Sequence, residues 1–215
     1  MPKFESFKSY KAIKELNDDM EIDPIDALDT ETPIDVDPSL PTETTVSTTS
    51  QGVTVPKTLP DNITKTLFER LGDEYTAYFF YRNAANWCKN ANYKKAAAFF
   101  EKETSGELEH AKGIQDYLTQ WNIIPVIPQT PTTQSFSTLV DIINKAYEIE
   151  YNLLEKYSKN QKEFLNEHTA TFNFIQGYVD IQNGEVEEYS DLLNALVLVN
   201  IDNKLDVLYF ENTYF

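Results

Sequence analysis

Four glutamates interrupt series of apolar residues that otherwise recur every three or four positions, the spacing of one face of a helix. Each glutamate therefore stands where a buried side chain is expected. Burying an unpaired carboxylate costs several kcal/mol, so positive charge must lie among them, and a pair of metal ions is the simplest source. The residues are Glu74, Glu107, Glu150 and Glu185.

The spacing of these residues repeats along the chain, which indicates two similar halves. Each half has one glutamate, followed 33 or 32 residues later by two polar residues that are three positions apart. Residues at i and i+3 are neighbours on a helix and can converge on one point. Four-helix bundles that hold two metals use this arrangement. The halves are Glu74 with Glu107 and His110, and Glu150 with Gln182 and Glu185.

The chemistry of this set favours iron or manganese. Two divalent cations would cancel the charge of the four carboxylates, and Glu107 is placed to bridge them. Oxygen ligands with one imidazole, from His110, suit these metals better than copper, and a closed zinc site would need more Cys or His. Because Gln182 is a weaker ligand than glutamate, we expect the second metal to be held more loosely, as in a site that oxidises and releases iron.

Other polar residues lie close to these positions in the helical pattern. Tyr81 is two turns from Glu74 on the same face, so its hydroxyl is a candidate to reach the site, and a core tyrosine is the alternative. Glu103 is a fifth acid on a helix face, interpreted as partly exposed and outside the site. His168 falls in a predicted turn and is expected at the surface, whereas Cys88 is expected to pack as a small apolar side chain.

Long stretches with a helical period of hydrophobicity predict an all-α fold. Tight turns at residues 90–92 and 167–168 pair the helices into two antiparallel hairpins. A link of about 15 residues that contains three prolines is long enough to cross between them. The prediction is a four-helix bundle with a long crossover between the second and third helices. The predicted helices cover residues 62–90, 93–121, 137–166 and 169–199.

The composition limits the partners of the chain. A formal charge of −17 over 215 residues argues against nucleic acid and anionic membranes, which both require patches of Lys and Arg. One cysteine forbids an intrachain disulfide and favours a reducing compartment. Because no run of about 18 apolar residues and no apolar signal region occurs, we expect a soluble, cytoplasmic protein.

The first 60 residues differ in composition from the rest. Between Lys14 and Lys57 there are eleven acids and no basic residue, and prolines with a Thr/Ser-rich stretch rule out a long helix. We expect residues 1–60 to form an extended or disordered tail and residues 61–215 to form the helical domain. Residues 3–16 combine apolar side chains with lysines and are interpreted as a segment that docks onto another protein, with a mobile tail as the alternative.

Together these patterns resemble the bacterial-type non-haem ferritins over residues 62–210. One motif on each predicted helix carries the resemblance: a glutamate with a tyrosine seven residues on, a Glu-x-x-His, a further glutamate and a Gln-x-x-Glu. Haem-binding and rubrerythrin-like relatives carry Glu-x-x-His as the last motif, so Gln-x-x-Glu points to ferritin proper. The stretches are Glu74 to Tyr81, Glu107 to His110, Glu150, and Thr171 to Glu185.

The resemblance implies a ferroxidase and iron store. Two Fe(II) ions per subunit, without haem, would bind at the four glutamates and His110, with Gln182 and Tyr81 in support. Dioxygen would oxidise them, and the ferric product would pass to a mineral core inside a homo-oligomeric shell of 24 subunits. The protein would position the ions, while iron supplies the redox chemistry.

Three features depart from the family pattern. The positions of a third iron site hold Gly106, Ile181 and Gly184, so that site is absent. A shortened fifth helix is expected from Leu208 to Phe215, and the 60-residue tail has no counterpart. Two alternatives therefore stay open. The chain is a structural or cargo subunit that its tail anchors in a larger assembly, with ferroxidase activity secondary or absent, or it is a smaller di-iron oxidase without a shell.

Overall fold

Five α-helices make up most of the chain described by the computed structural model, which covers residues 48–129 and 134–215. They are α1 Asp61–Asn90, α2 Lys94–Gln120, α3 Leu139–Phe164, α4 Thr169–Leu196 and α5 Lys204–Tyr214. Within those ranges the extended pairing is limited to an isolated bridge between Thr48 and Thr54. The all-α prediction is therefore confirmed.

The four long helices form the two predicted hairpins. Helix α1 packs along α2 and α3 along α4, and the hairpins meet where α1 faces α3. Among these fully described helices, α2 and α4 stay apart, with no pair of Cα atoms within 8 Å. The long crossover joins the end of α2 to the start of α3, on opposite sides of this arrangement. The helices are therefore closely packed where α1 faces α3 and farther apart where α2 faces α4.

The turn between α1 and α2 is short because an asparagine ends the first helix. Asn92 adopts φ 66°, a left-handed conformation that asparagine tolerates better than most residues. The backbone N–H of Tyr93 then donates to the carbonyl of Cys88 at 2.9 Å, and that of Asn92 donates to Lys89 at 3.2 Å. This Schellman-type ending satisfies carbonyls of the last turn and turns the chain directly into α2.

Helix α3 starts with a capping box. The Thr138 side chain accepts from the backbone N–H of Asp141 at 3.0 Å, and the Asp141 carboxylate accepts from the N–H of Thr138 at 2.9 Å. These bonds satisfy two of the donors that every helix N-terminus leaves free. They also set the first helical residue at Leu139, two residues beyond the predicted start.

His168 caps α4. Its Nδ1 accepts from the backbone N–H of Thr171 at 3.2 Å, and its ring meets Trp121 edge-to-face at 4.9 Å between centroids. His168 lies in the predicted turn, and its side chain is half-buried rather than fully exposed. Imidazole fills a role that usually falls to Ser, Thr, Asp or Asn, which is why the sequence pattern did not reveal it.

The fifth helix begins at Lys204, four residues before the predicted start at Leu208. Asn203 caps it, because the Asn203 side chain accepts from the backbone N–H of Leu205 at 3.0 Å. The helix is 11 residues long. The prediction of a short fifth helix stands, with the start moved toward the N-terminus.

A glutamate of α5 caps the start of α2. The Oε1 atom of Glu211, which is 2% exposed, accepts from the backbone N–H groups of Lys95 at 2.6 Å and Ala96 at 3.1 Å. Tyr93, the N-terminal flanking residue of α2, makes no capping bond with its own side chain. An acid at a helix N-terminus also interacts favourably with the helix dipole. Glu211 therefore caps α2 although it is remote from this helix in the sequence, a role that a residue next to the helix usually fills.

The segment before α1 is partly attached to the bundle. Leu59 is 3% exposed and belongs to the apolar core, and the Asn122 amide donates to the carbonyl of Lys57 at 3.3 Å. Of the predicted tail at 1–60, residues 1–47, with the docking segment at 3–16, lie outside the described residues. None of the helices in the described ranges is long and apolar enough to span a membrane.

Removing the Glu211 carboxylate should destabilise the protein. Glu211→Ala takes away the acceptor of two backbone donors, of which that of Ala96 is buried, and an unsatisfied buried donor costs about 1–3 kcal/mol. We expect the free energy of unfolding in urea to fall by about that amount, and Glu211→Gln to lose less because its amide oxygen still accepts.

The control for this experiment is Glu155→Ala, which removes an exposed glutamate of α3. If Glu211→Ala and Glu155→Ala had the same free energy of unfolding, Glu211 would not act as a cap.

Candidate metal centre

The predicted site residues meet in the interior of the bundle. Helices α1 and α3 supply one glutamate each, while α2 and α4 supply two polar residues each, three positions apart on one face. Most of these side chains are buried, and Glu185 is half-buried. The set comprises Glu74 on α1, Glu107 and His110 on α2, Glu150 on α3, and Gln182 and Glu185 on α4.

Two groups of three ligand atoms form within this cluster. Oxygen or nitrogen atoms of Glu74, Glu107 and His110 lie within 4.8 Å of one another, and so do oxygen atoms of Glu107, Glu150 and Glu185. Glu107 belongs to both groups, as a bridging carboxylate between two cations would. We refer to the first group as position 1 and to the second as position 2.

Position 1 is centred on one histidine nitrogen. The His110 Nδ1 atom lies 3.4 Å from Oε2 of Glu107 and 3.6 Å from Oε2 of Glu74. The backbone carbonyl of His110 accepts a hydrogen bond from the Tyr178 hydroxyl at 2.7 Å. The imidazole nitrogen thus lies beside two carboxylate oxygens, at separations close to those between ligand atoms that share one cation through bonds of about 2.0–2.2 Å.

Burial and mutual repulsion perturb the carboxylates. Burial raises the pKa of Glu107 well above its ordinary value, and the charges of Glu150 and Glu74 raise it further. Burial, followed by the charges of Glu107 and Glu150, also raises the pKa of Glu185. These shifts reflect the cost of placing like charges together in an apolar interior.

The pKa values of Glu150 and His110 are each set by two opposing effects. Burial raises the pKa of Glu150 to about 7, although the hydrogen bond from Tyr81 opposes the rise. Burial lowers the pKa of His110, but the neighbouring carboxylates, Glu74 foremost, outweigh burial and raise the pKa to about 9. The metal-free cluster therefore favours bound protons, which a divalent cation would replace.

Three oxygens of the centre are buried without a hydrogen-bond partner among the described residues. They belong to Glu74 (Oε2), Glu150 (Oε2) and Gln182 (Oε1). Buried polar atoms are normally satisfied, and an oxygen left free beside other ligand atoms suits a bound cation. The donor set, mostly carboxylate oxygen with one imidazole, fits iron or manganese. No arginine or lysine joins either group: the buried Arg70 pairs with Asp73 at 2.8 Å.

Gln182 orients a neighbour as well as offering an oxygen. Its amide Nε2 donates to Oε2 of Glu185 at 2.7 Å, one turn along α4. The sequence prediction treated Gln182 as a weak ligand. The observed contact adds a second role, because the amide fixes the side-chain direction of the only half-buried glutamate in the set.

Two tyrosines bond to the glutamates of the opposite hairpin. Tyr81 on α1 donates to Oε1 of Glu150 on α3, and Tyr157 on α3 donates to Oε1 of Glu74 on α1. Burial, then the charge of the glutamate each one meets, raises the pKa of both phenols well above the ordinary value. Each therefore remains a hydrogen-bond donor at neutral pH.

The sequence analysis selected Tyr81 and missed Tyr157. A signal was available: Tyr157 follows Glu150 by seven residues, as Tyr81 follows Glu74. The internal repeat was described for the four glutamates, His110 and Gln182, and it extends to the two tyrosines. A tyrosine in an apolar series was interpreted as core packing, and Tyr157 is indeed fully buried.

The residues left out of the site are also accounted for. Glu103 is 7% exposed, so the prediction of a partly exposed side chain was wrong, and it belongs to neither ligand group. Lys102 pairs with it at 3.2 Å.

Cys88 is buried and free, as predicted. At Gly106 and Gly184 an added Cβ would meet nothing within 4 Å.

The sequence has recognisable relatives. A protein-family model described as a ferritin-like domain matches residues 64–199. A bacterial non-heme ferritin of Escherichia coli is 27% identical over 164 residues, covering 71% of this chain and 98% of that protein. A probable bacterial non-heme ferritin-like protein of Haemophilus influenzae is 25% identical over 148 residues, covering 68% and 90% respectively.

Solved structures share the fold. A humanized archaeal ferritin matches with a TM-score of 0.67 at 19% identity, over 73% of this chain and 96% of that one. A Chlorobium tepidum ferritin matches with a TM-score of 0.64 at 21% identity, over 72% and 94%. These likenesses concern the fold, and they confirm the predicted helical bundle.

Relieving the repulsion at the shared glutamate should stabilise the metal-free protein. Glu107→Gln keeps the shape of the side chain but needs neither a buried charge nor the uptake of a proton on folding, so we expect the free energy of unfolding in chelator to rise by about 1–2 kcal/mol. The same variant should lose most of the stabilisation that Mn(II) or Zn(II) gives the unsubstituted chain. Urea unfolding with and without metal measures both effects, and a variant that metal still stabilises fully would exclude Glu107 as a shared ligand.

Proposed function

The chain belongs to the ferritin family, and from this membership we propose that it stores iron by oxidising Fe(II) with dioxygen at the buried centre. The observation that carries the proposal is the pair of three-ligand groups that share Glu107. Membership supports iron storage in general. The oxidation step rests on the arrangement of these residues.

The substrate ions occupy the two positions. At position 1, Fe(II) takes Glu74, Glu107 and His110, and at position 2 it takes Glu107, Glu150 and Glu185. Two Fe(II) ions supply two electrons to dioxygen, which takes up two protons and leaves as hydrogen peroxide. The chain's own contribution is to hold two like-charged ions close together and to exclude bulk water.

Charge balance explains why the pair binds together. One divalent ion leaves two of the four negative charges uncompensated in an apolar interior, which is unfavourable. A second ion completes the neutralisation, and Glu107 contributes to both. The charge of the site therefore calls for two ions, and with both bound the two electrons that the oxidation requires are available in one centre.

Ions reach the centre from the α2–α4 side. Glu185 is half-buried, whereas Glu74 and Glu150 are fully buried on the α1–α3 side. Helices α2 and α4 stay apart, with no pair of Cα atoms within 8 Å. Access from this side keeps the tightly packed side free of solvent, and product leaves the same way.

Storage requires an assembly, and we propose a homo-oligomeric shell. Large apolar side chains are exposed at the end of α4 and along α5, which is unusual for a surface without a partner. They include Val197 at 82%, Leu198 at 83%, Leu205 at 73% and Tyr209 at 74% exposure. A second copy of the chain is the occupant that this function requires.

Loss of the shared ligand should abolish oxidation. Loss of groups that only support metal ligands costs about 10–100-fold, so Glu107→Ala should slow the initial rate of Fe(III) formation by at least about 100-fold. Absorbance of Fe(III) after Fe(II) addition in air measures the rate. Glu109→Ala, on the exposed side of the same helix, is the matched control and should oxidise at the normal rate. Equal rates for the two variants would refute the proposed centre.

Charges placed on the exposed apolar surface should prevent assembly. Leu205→Glu combined with Tyr209→Glu puts two carboxylates where a partner would pack, and desolvating them is costly. We expect a particle of much smaller mass by light scattering, while the initial oxidation rate per chain is kept because the centre lies within one subunit. A purified chain that is a monomer before substitution would refute the shell and favour the smaller oxidase.

A further inference from the structure

The two phenols that bond to the centre are arranged with the same symmetry as its ligands. Tyr81 and Tyr157 each follow a metal-site glutamate by seven residues, and each reaches across to the glutamate of the other hairpin. The two bonds thus cross between α1 and α3 in opposite directions. A single such tyrosine could be incidental packing, but a reciprocal pair is a feature of the centre.

Each phenol leaves its glutamate with one free oxygen. In Glu74, Oε1 accepts from Tyr157, and Oε2 has no hydrogen-bond partner among the described residues. Glu150 has the same division, with Oε1 on Tyr81 and Oε2 free. The occupied oxygen fixes the plane of the carboxylate, so the free oxygen is the one presented to a cation.

Stacking holds the phenols in place. The ring of Tyr157 stacks on Tyr178 with centroids 5.0 Å apart and planes inclined by 24°, and the Tyr178 hydroxyl is bonded to the backbone of His110 at 2.7 Å. The ring of Tyr81 stacks on Tyr189 at 6.1 Å and 9°. Neither phenol can rotate freely, so each directs its donor at one point.

We propose that Tyr157 is a positioning residue for position 1, as Tyr81 is for position 2, so that each cation position has its own tyrosine. This inference rests on the proposed centre and deepens it. Glu74 belongs to position 1 alone and Glu150 to position 2 alone. Loss of one phenol therefore affects one position, whereas loss of the shared Glu107 affects both.

Cobalt(II) provides a test that does not depend on oxidation. The metal-free full-length chain is titrated with Co(II) under argon, followed by calorimetry and by visible absorption of the bound ion. Glu74→Ala and Glu150→Ala identify which of the two binding events belongs to which position. Tyr157→Phe should raise the Co(II) dissociation constant of position 1 by about tenfold and shift the visible spectrum of the ion bound there. The dissociation constant of position 2 should stay within twofold of its value in the unsubstituted chain. Tyr81→Phe should do the reverse.

A double mutant separates positioning from general destabilisation. In a Glu74→Ala background, where position 2 supplies the remaining binding event, Tyr157→Phe should leave that event unchanged, whereas a general loss of stability would weaken it. Tyr117→Phe is the stability control: it removes the buried hydroxyl contact with Thr171, 2.9 Å, and should leave both dissociation constants unchanged. Equal weakening of both events by Tyr157→Phe, or no weakening of either, would overturn the inference.

The two proposals can fail separately. If the unsubstituted chain binds Co(II) twice and Tyr157→Phe weakens position 1, but Fe(II) is not oxidised in air, the positioning inference stands and the ferroxidase proposal fails. If Fe(II) is oxidised and Tyr157→Phe leaves both Co(II) dissociation constants unchanged, the ferroxidase proposal stands and the inference fails.

Discussion

The structure depends on one electrostatic constraint, the repulsion among four carboxylates that face one another inside an apolar bundle. Water cannot screen these charges, so each glutamate raises the free energy of ionising its neighbours. Protons or divalent cations are the two ways to relieve the repulsion. A bundle with such a cluster of carboxylates is less stable without metal and binds cations more tightly. Lower stability in return for binding is common at functional sites.

The hydrogen bonds around the centre show how the fold manages this constraint. Glu74 and Glu150 each give one oxygen to a tyrosine, and Glu185 is held by the amide of Gln182. These donors are neutral, so they orient the carboxylates without cancelling the charge that a cation requires. A lysine or arginine in the same place would occupy the site permanently. Lys102 pairs instead with Glu103, which is not part of the centre.

The parts of the fold and the site that follow from periodicity could be predicted from the sequence. A glutamate in an apolar series is costly, so Glu107 and its neighbour at i+3, His110, stood out. Features that depend on contacts between distant segments could not be derived in this way. The phenol of Tyr157 meets a residue 83 positions away, and a tyrosine on an inner face otherwise indicates packing. Imidazole capping by His168 likewise has no distinctive pattern.

The contact of Glu211 with the first turn of α2 has a consequence for the order in which the chain is made. The acceptor of the Ala96 N–H is synthesised 115 residues after the donor. A growing chain on the ribosome therefore holds α2, with Glu107 and His110, before its first turn is capped. The bundle can complete its packing only after α5 has emerged and docked, so a nascent chain passes through a stage in which its candidate metal ligands lie on a helix whose first turn is not yet capped.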